Sequence, residues 1–285
     1  MTMALDRLRT ARPAPPARRI SPAVAAATAY LLLILIAVVA PRALGAGDPL
    51  AADPAHALLP PGPAHWFGTD QLGRDVFDRV VHGARHSLTI AVAAIGIAVT
   101  GGVLLGLLAG LTHRWADEAL TRSFDALAAF PMLLLALLFI ALAGTGTPSL
   151  MIAIGIATLP HYARVVRAQT LQVRRAGYVA QAVAFGAGRT RIVLRHVLPN
   201  VLGPVPVVAV IGLGEAVLAA SGLGFLGMGP QPPSPEWGAM LAEGRNYLAV
   251  AWWTGILPGV AVTLTVIALT VTGRRLQARF EGRDA

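Results

Sequence analysis

The 285-residue chain contains no cysteine and no lysine, and charged residues make up only 13% of it. Without cysteine there is no disulfide, no thiolate nucleophile and no cysteine metal site. Without lysine there is neither a Walker-type phosphate loop nor a Schiff base, and all 23 basic residues are arginine. The charged fraction is about half that of soluble domains, too little to cover the surface of a soluble core this large. Serine, histidine and acidic residues show no nucleophile-elbow or triad spacing, so no catalytic residue is assigned.

What fills the chain is apolar. Hydrophobic residues make up 55% of it, the mean hydropathy is +0.65, and several uncharged runs reach the roughly 18 residues that can cross a bilayer. In lipid such runs must be helices, because nothing there bonds exposed backbone groups. The expected fold is all-α and polytopic. Six spans are predicted, over about Ala23–Ala40, Leu88–Leu111, Ala126–Ala143 with a kink at Phe130-Pro131, Ser149–Tyr162, Val201–Ser221 and Trp252–Thr272. Residues 1–22, rich in Arg, Pro and Ala, are expected to be disordered. The first apolar stretch, 23–40, is long for a signal h-region and reads as an uncleaved helix. Residues 41–87 form an external loop. Within it Leu72, Val76, Val80, Ala84 and Leu88 recur every four residues, which predicts a helix lying along the membrane. Residues 88–275 form the main membrane domain and 276–285 a tail.

The arginines check this topology. With six spans, Arg7, Arg9, Arg12, Arg18 and Arg19, the loop holding Arg114 and Arg122, the basic segment 163–198 and the tail with Arg274, Arg275, Arg279 and Arg283 all share one side. An odd span count would scatter them. The positive-inside rule puts that side, and both termini, in the cytoplasm. Arginines placed between apolar spans, rather than on one compact face, argue against nucleic acid.

Glu215 is the one acid well inside an apolar run. Such a group faces a water-filled path, bonds a neighbouring helix or touches cargo, and it is the pore candidate. Gly102, Gly106 and Gly110 form overlapping G-x-x-x-G steps that clear a helix face for another backbone, in this chain or in a second subunit. Gly222, Gly224 and Gly227 spell G-x-G-x-x-G, but a membrane helix precedes them and a proline-rich loop follows, so the dinucleotide reading fails. His82 and His86 share a helix face without a third ligand, and no metal site is assigned.

Residues 163–199 carry the most information. Tyr178, Val179, Ala182, Val183 and Phe185 form an apolar stripe at helical spacing, Gly186 and Gly188 break it, and a second stretch near 190–197 sets Ile192 and Val193 among Arg189, Arg191 and Arg195 before Leu198-Pro199. A helix–glycine–helix of this kind docks into a groove on a soluble partner or rests on its own bundle or on anionic lipid.

This segment resembles the EAA loop of ABC importer permeases, here spanning about 176–199. Gly186 matches the family's fixed glycine, and Leu198-Pro199-Asn200 matches its Leu-Pro. The Glu-Ala-Ala falls on Ala180, Gln181 and Ala182, so the glutamate is missing and no salt bridge is implied there. His65–Asp75 (HWFGTDQLGRD), Phe225–Pro233 (FLGMGPQPP), Glu236–Gly238 (EWG) and Tyr162–Arg167 (YARVVR) resemble the dipeptide/oligopeptide/nickel group, C-type pore subunit. Many members carry an acid near the position of Ala220, whereas this chain has Glu215 five residues earlier. The resemblance implies a type I importer permease fold with coupling helices. Tyr178, Ala180, Gln181, Ala182, Phe185, Gly186, Ala187, Arg189 and Arg191 would then be the coupling residues. The implied partners are a second homologous permease, two ATP-binding subunits that hold ATP and Mg, an extracytoplasmic substrate-binding protein, and membrane lipid. The chain itself would hold no cofactor. Peptide is the implied cargo, with a nickel chelate as the alternative; an ion-coupled carrier working alone is a distant reading.

Overall fold

The computed structural model describes residues 21–280. Most of the N-terminus expected over 1–22, and the last five residues of the tail expected over 276–285, lie outside them. The described residues are mainly helical, with no strand and a single isolated bridge between Thr69 and Asp75. The helices are α1 (Pro22–Val39), α2 (Val76–Leu111), α3 (Arg114–Ala128), α4 (Met132–Ala143), α5 (Thr147–Val173), α6 (Gly177–Ala184), α7 (Arg189–Ile192), α8 (Leu198–Leu202), α9 (Val205–Phe225), α10 (Trp237–Gly244) and α11 (Trp253–Phe280). Five of them are long and apolar enough to cross a membrane, and the count is six when the bent pair α3–α4 is one span.

Two expectations change. The helix predicted to lie along the membrane near 72–88 is not separate, because α2 runs unbroken for 36 residues from Val76. Four-residue apolar spacing marks a helix but does not say what covers its face. Here Val76, Val80 and Ala84 are buried within the chain's own core beside Trp237 and Trp253, not against lipid. The third span is broken rather than kinked. α3 and α4 meet at 94°, and Pro131 sits at the junction as the N-cap of α4. The residue before a proline is pushed out of the helical region, so the chain turns at Phe130. α4 alone has 12 residues, about 18 Å of helix, less than a roughly 30 Å layer, so a sixth crossing needs α3 and the junction as well. Two of the remaining predicted helices run longer: α5 continues to Val173 and α11 to Phe280, so residues 276–280 of the expected tail continue the last helix.

α2 and α5 form the central seam. A Cβ on Gly102 would meet the Cβ of Tyr162 at 2.5 Å, one on Gly106 the carbonyl oxygen of Ala163 at 2.5 Å, and one on Gly110 the Cβ of Thr170 at 2.6 Å. The glycine stripe therefore faces α5 of the same chain and lets the two backbones touch. Elsewhere α1 is held to α11, where the Tyr30 hydroxyl donates to the carbonyl of Ala261 at 3.1 Å.

The end of the bundle away from the arginine-rich loops is closed by the FGTDQLGRD stretch. Asp75 caps α2 by accepting from the N–H groups of Phe77 and Asp78. Asp70 accepts from the N–H groups of Leu72 and Arg74. Gly68 has φ +72°, and a Cβ there would collide with Leu59 and the Trp253 ring, whose Nε1 donates to the Thr69 carbonyl. Arg74 and Arg79, both nearly fully buried, share the carboxylates of Asp70 and Glu243. Arg74 Nε lies 2.6 Å from Asp70, and Arg79 Nη2 lies 3.2 Å from Glu243. The EWG stretch completes the closure. Glu236 caps α10 and accepts from Ser87, and Trp237, wholly buried, donates to the Val80 carbonyl. Burial pushes the Glu236 carboxyl above the usual range, against the pull of the Gly238 and Ala239 N–H groups and the Ser87 hydroxyl.

Two stability predictions come from this packing. Gly106→Val should drive α2 from α5 and cost about 1–3 kcal/mol, seen as a lower thermal midpoint of the detergent-solubilised protein. Arg79→Met should cost roughly 3–5 kcal/mol by leaving carboxylates buried and under-paired. In the same assay Arg85→Met, at an exposed position on the same helix, should change stability by less than about 0.5 kcal/mol.

Candidate functional site

Two features stand out at the arginine-rich end: an exposed hook between α5 and α9, and a cleft beside Glu215. The hook begins where α5 ends at Val173 and turns into α6. α6 stops in a Schellman arrangement. The N–H of Gly186 donates to the Val183 carbonyl at 2.9 Å and that of Ala187 to the Ala182 carbonyl at 3.0 Å, with Gly186 at φ +78°. This closing pattern needs a left-handed residue after the helix, which glycine adopts without strain. Nothing lies within 4 Å of a Cβ built on Gly186, so the position is fixed by backbone conformation and not by crowding. α7 follows, then a π-helical stretch Val193–Val197, then α8.

The hook has two faces. Val179 and Val197 are buried with Val166, Val173, Val201 and Val205 in a small core of their own. Tyr178, Val183 and Leu194 are exposed, and Phe185 is 90% exposed. The apolar stripe seen in the sequence is thus divided: Val179 anchors the hook, while Tyr178, Val183 and Phe185 point away from the chain. Ala180, Gln181, Gly186, Arg189 and Arg191 are exposed, and Ala182 and Ala187 are half-buried. Arg189 also reaches inward. Its Nη2 donates to the Leu111 carbonyl at 2.9 Å, and Arg174 Nη1 donates to the Gly110 carbonyl at 2.6 Å. Two guanidiniums therefore cap the open carbonyls at the end of α2, where the helix dipole favours positive charge. These caps, and with them Arg174 as a site residue, are not visible in the spacing, because 64 and 78 positions separate the partners.

The cleft has a volume of about 540 Å³ and is lined by residues of α2, α3, α4, α5, α9 and α11 and the α3–α4 junction, among them Phe130, His161, Tyr162, Arg164, Glu215 and Gln277. Glu215 is exposed, whereas Ala216, Val217 and Ala220 beside it on α9 are buried. Gly212, one turn earlier, lies directly under the Tyr162 hydroxyl and leaves it room. α3 is pinned beside the cleft by Asp117, which pairs both its oxygens with Arg167 of α5. Of the cleft residues, Glu215 is the candidate that the sequence identifies. Tyr162 and Arg164 lie in a quoted motif that gives no sign of lining a cavity, and His161 and Gln277 carry no signal.

The remaining candidates are structural. Gly224 packs on the Glu236 carboxylate, and Gly227 takes a left-handed turn. His82 bonds the Asp78 carbonyl, and among the described residues no three His, Cys, Asp or Glu side chains converge as a metal site.

Comparison with known proteins bears on what this arrangement serves. Residues 102–283 match the family described as binding-protein-dependent transport system inner membrane component. The chain is 41% identical over 244 residues to the dipeptide transport system permease protein DppC of Alkalihalophilus pseudofirmus, covering 86% of this chain and 80% of that protein. It is 40% identical to the probable D,D-dipeptide transport system permease protein DdpC of Escherichia coli, covering 89% and 85%. It is also 40% identical to the glutathione transport system permease protein GsiD of Pectobacterium atrosepticum, covering 76% and 72%. Among solved structures, a chain of the inward-facing MetNI methionine ABC transporter shares the fold, with a TM-score of 0.58 at 16% identity over 71% of this chain and 96% of that one.

Removing the two caps tests the hook's attachment. In Arg174→Ala/Arg189→Ala, amide hydrogen exchange in residues 108–111 should quicken by about ten-fold while the middle of α2 is unchanged. Equal exchange would show that the caps contribute nothing.

Proposed function

The chain belongs to the family of binding-protein-dependent transport system inner membrane components, as an ABC peptide importer permease, and from that premise we propose how it works. It forms half of a pore for dipeptides and oligopeptides. A second homologous permease forms the other half. Two separate ATP-binding subunits hold ATP and Mg, and an extracytoplasmic binding protein delivers the cargo. The chain lies in the bacterial cytoplasmic membrane, surrounded by lipid, with both termini in the cytoplasm, an orientation that its arginine-rich loops support. Without lysine it has no phosphate loop of its own.

The observation that supports this reading is the hook. A phenylalanine left 90% exposed among arginines, held there by a backbone cap rather than by packing, is a surface built to be covered. A groove on an ATPase subunit, taking Tyr178, Val183 and Phe185 with Arg191 at the rim, covers it. The inner face of the hook is packed on α5 and α9 through Val179 and Val197, and Arg189 ties it to α2. Closure of the ATPase dimer therefore moves the ends of three membrane helices together, and the outward- and inward-facing states change in relative stability. The missing EAA glutamate leaves apolar contact and arginine to hold the interface. The relatives named for dipeptides and glutathione favour peptide over a nickel chelate.

The test is Gly186→Pro. Proline fixes φ near −65°, opposite in sign to the observed +78°, and removes the N–H that bonds Val183. The variant should insert and assemble its bundle. In the reconstituted complex it should lose substrate-stimulated ATPase activity by about ten-fold or more. Full stimulation would refute coupling through the hook.

A further inference from the structure

Glu215 stands in the middle of α9, ten residues from either end of a helix with mean hydropathy 1.9. It is exposed, and it is the acid on the wall of a cleft otherwise lined by neutral side chains, His161 and Arg164. A carboxylate at mid-membrane depth is costly unless it meets water or a positive partner. Arg164 is the arginine on the cleft wall, and its ion-pair partner among the described residues is Asp125 on α3, at 3.8 Å, rather than Glu215. The cleft is largely apolar but carries a few polar groups besides the carboxylate. Thr158, Tyr162 and Gln277 share its lining, and Pro160, also on the wall, lacks the N–H that the carbonyl of residue 156 would accept in a regular helix. Its volume of about 540 Å³ falls within the roughly 300–1,000 Å³ usual for small-ligand sites.

Resting on the importer reading above, we propose that Glu215 receives the α-ammonium group of a peptide in transit, making the cleft a way-station that recognises the free amino terminus. An ammonium group suits a lone carboxylate, because opposite charges meet in a charge-assisted hydrogen bond, while its remaining N–H donors and the peptide's other polar groups can bond water, Tyr162 and Thr158. A divalent metal suits it poorly, because such ions need several ligands and no three His, Cys, Asp or Glu side chains converge among the described residues. The side chains of a varied cargo need no matching partner, since every unblocked peptide carries the same terminal cation. Arg164 on the same wall repels a second cation and accepts a carboxylate, which orients the peptide amino end toward mid-membrane.

The complete complex is reconstituted in liposomes and supplied with binding protein saturated by a radiolabelled dipeptide with uncharged side chains. Glu215→Gln should lower uptake per ATP hydrolysed by about ten-fold, the worth of one charge-assisted bond, and Glu215→Asp should recover part of it. Because the chain has no cysteine, Glu215→Cys provides a second arm. An anionic methanethiosulfonate reagent should restore uptake and a cationic one should not. Wild-type uptake by Glu215→Gln, equal effects of the two reagents, or a thiol in Glu215→Cys that neither reagent reaches would each overturn the proposal and leave the importer reading standing. Glu215-dependent uptake of nickel ion in place of peptide would overturn it as well. Absence of ATP-dependent peptide uptake by the wild-type complex would defeat the importer reading itself.

Discussion

The close approach of α2 and α5 is the constraint from which the rest of the molecule is built. Gly102, Gly106 and Gly110 remove side chains along one face, and the backbone of α5 lies directly against it. In a bilayer no water-driven collapse pulls helices together, so such contact must come from fit. That fit sets the register of α5. Register places Tyr162 opposite Gly212 at the head of the cleft, Thr170 against Gly110, and Arg174 where it closes the last carbonyls of α2. A side chain added to the seam would displace cleft and hook together.

Charge is handled differently at the two ends. At one end Arg74, Arg79, Asp70 and Glu243 are sealed in a compact group with opposite signs in contact, and the external loop is folded around them. Buried ion pairs of this kind stabilise little against an apolar alternative, but they fix one arrangement, since losing one member strands the others. The motifs that carry the family resemblance, GTDQLGRD and EWG, are made of these residues and of helix caps, and they hold the loop, α2, α10 and α11 as one unit. At the other end, among the described residues, most arginines are exposed or turned to capping helix ends, and Arg167 pairs with Asp117. The first end is built to keep its shape. The second leaves Tyr178, Val183 and Phe185 uncovered, and in the proposed importer an ATPase subunit covers them.

The hook and the cleft lie on the same helices. Val179 and Val197 tie the hook to α5 and α9, and those two helices carry Tyr162, Arg164 and Glu215 on the cleft wall. In the proposed importer, these shared helices are the route by which a push on the hook would reach the cleft. Phe130, at the junction where α3 turns 94° into α4, also lines the cleft.

Composition and spacing alone determined that this chain is an all-α membrane protein, where most of its long apolar helices lie, that it cannot bind phosphate through a lysine loop, and that 176–199 is a helix–glycine–helix segment. These are local properties: apolar length, helical period and the conformations that glycine and proline permit. The tertiary structure decided what those properties left open. Apolar period showed a helix near 72–88 but not that it continues into α2, because period does not record whether lipid or protein covers a face. The glycine stripe showed that a backbone approaches but not that α5 supplies it. Glu215 was visible as a lone acid, yet the cleft around it is assembled from six helices and the α3–α4 junction, most of them distant in the chain. The arginine caps on α2 and the buried charges at the far end depend on the same long-range meetings, which packing creates and no local pattern encodes.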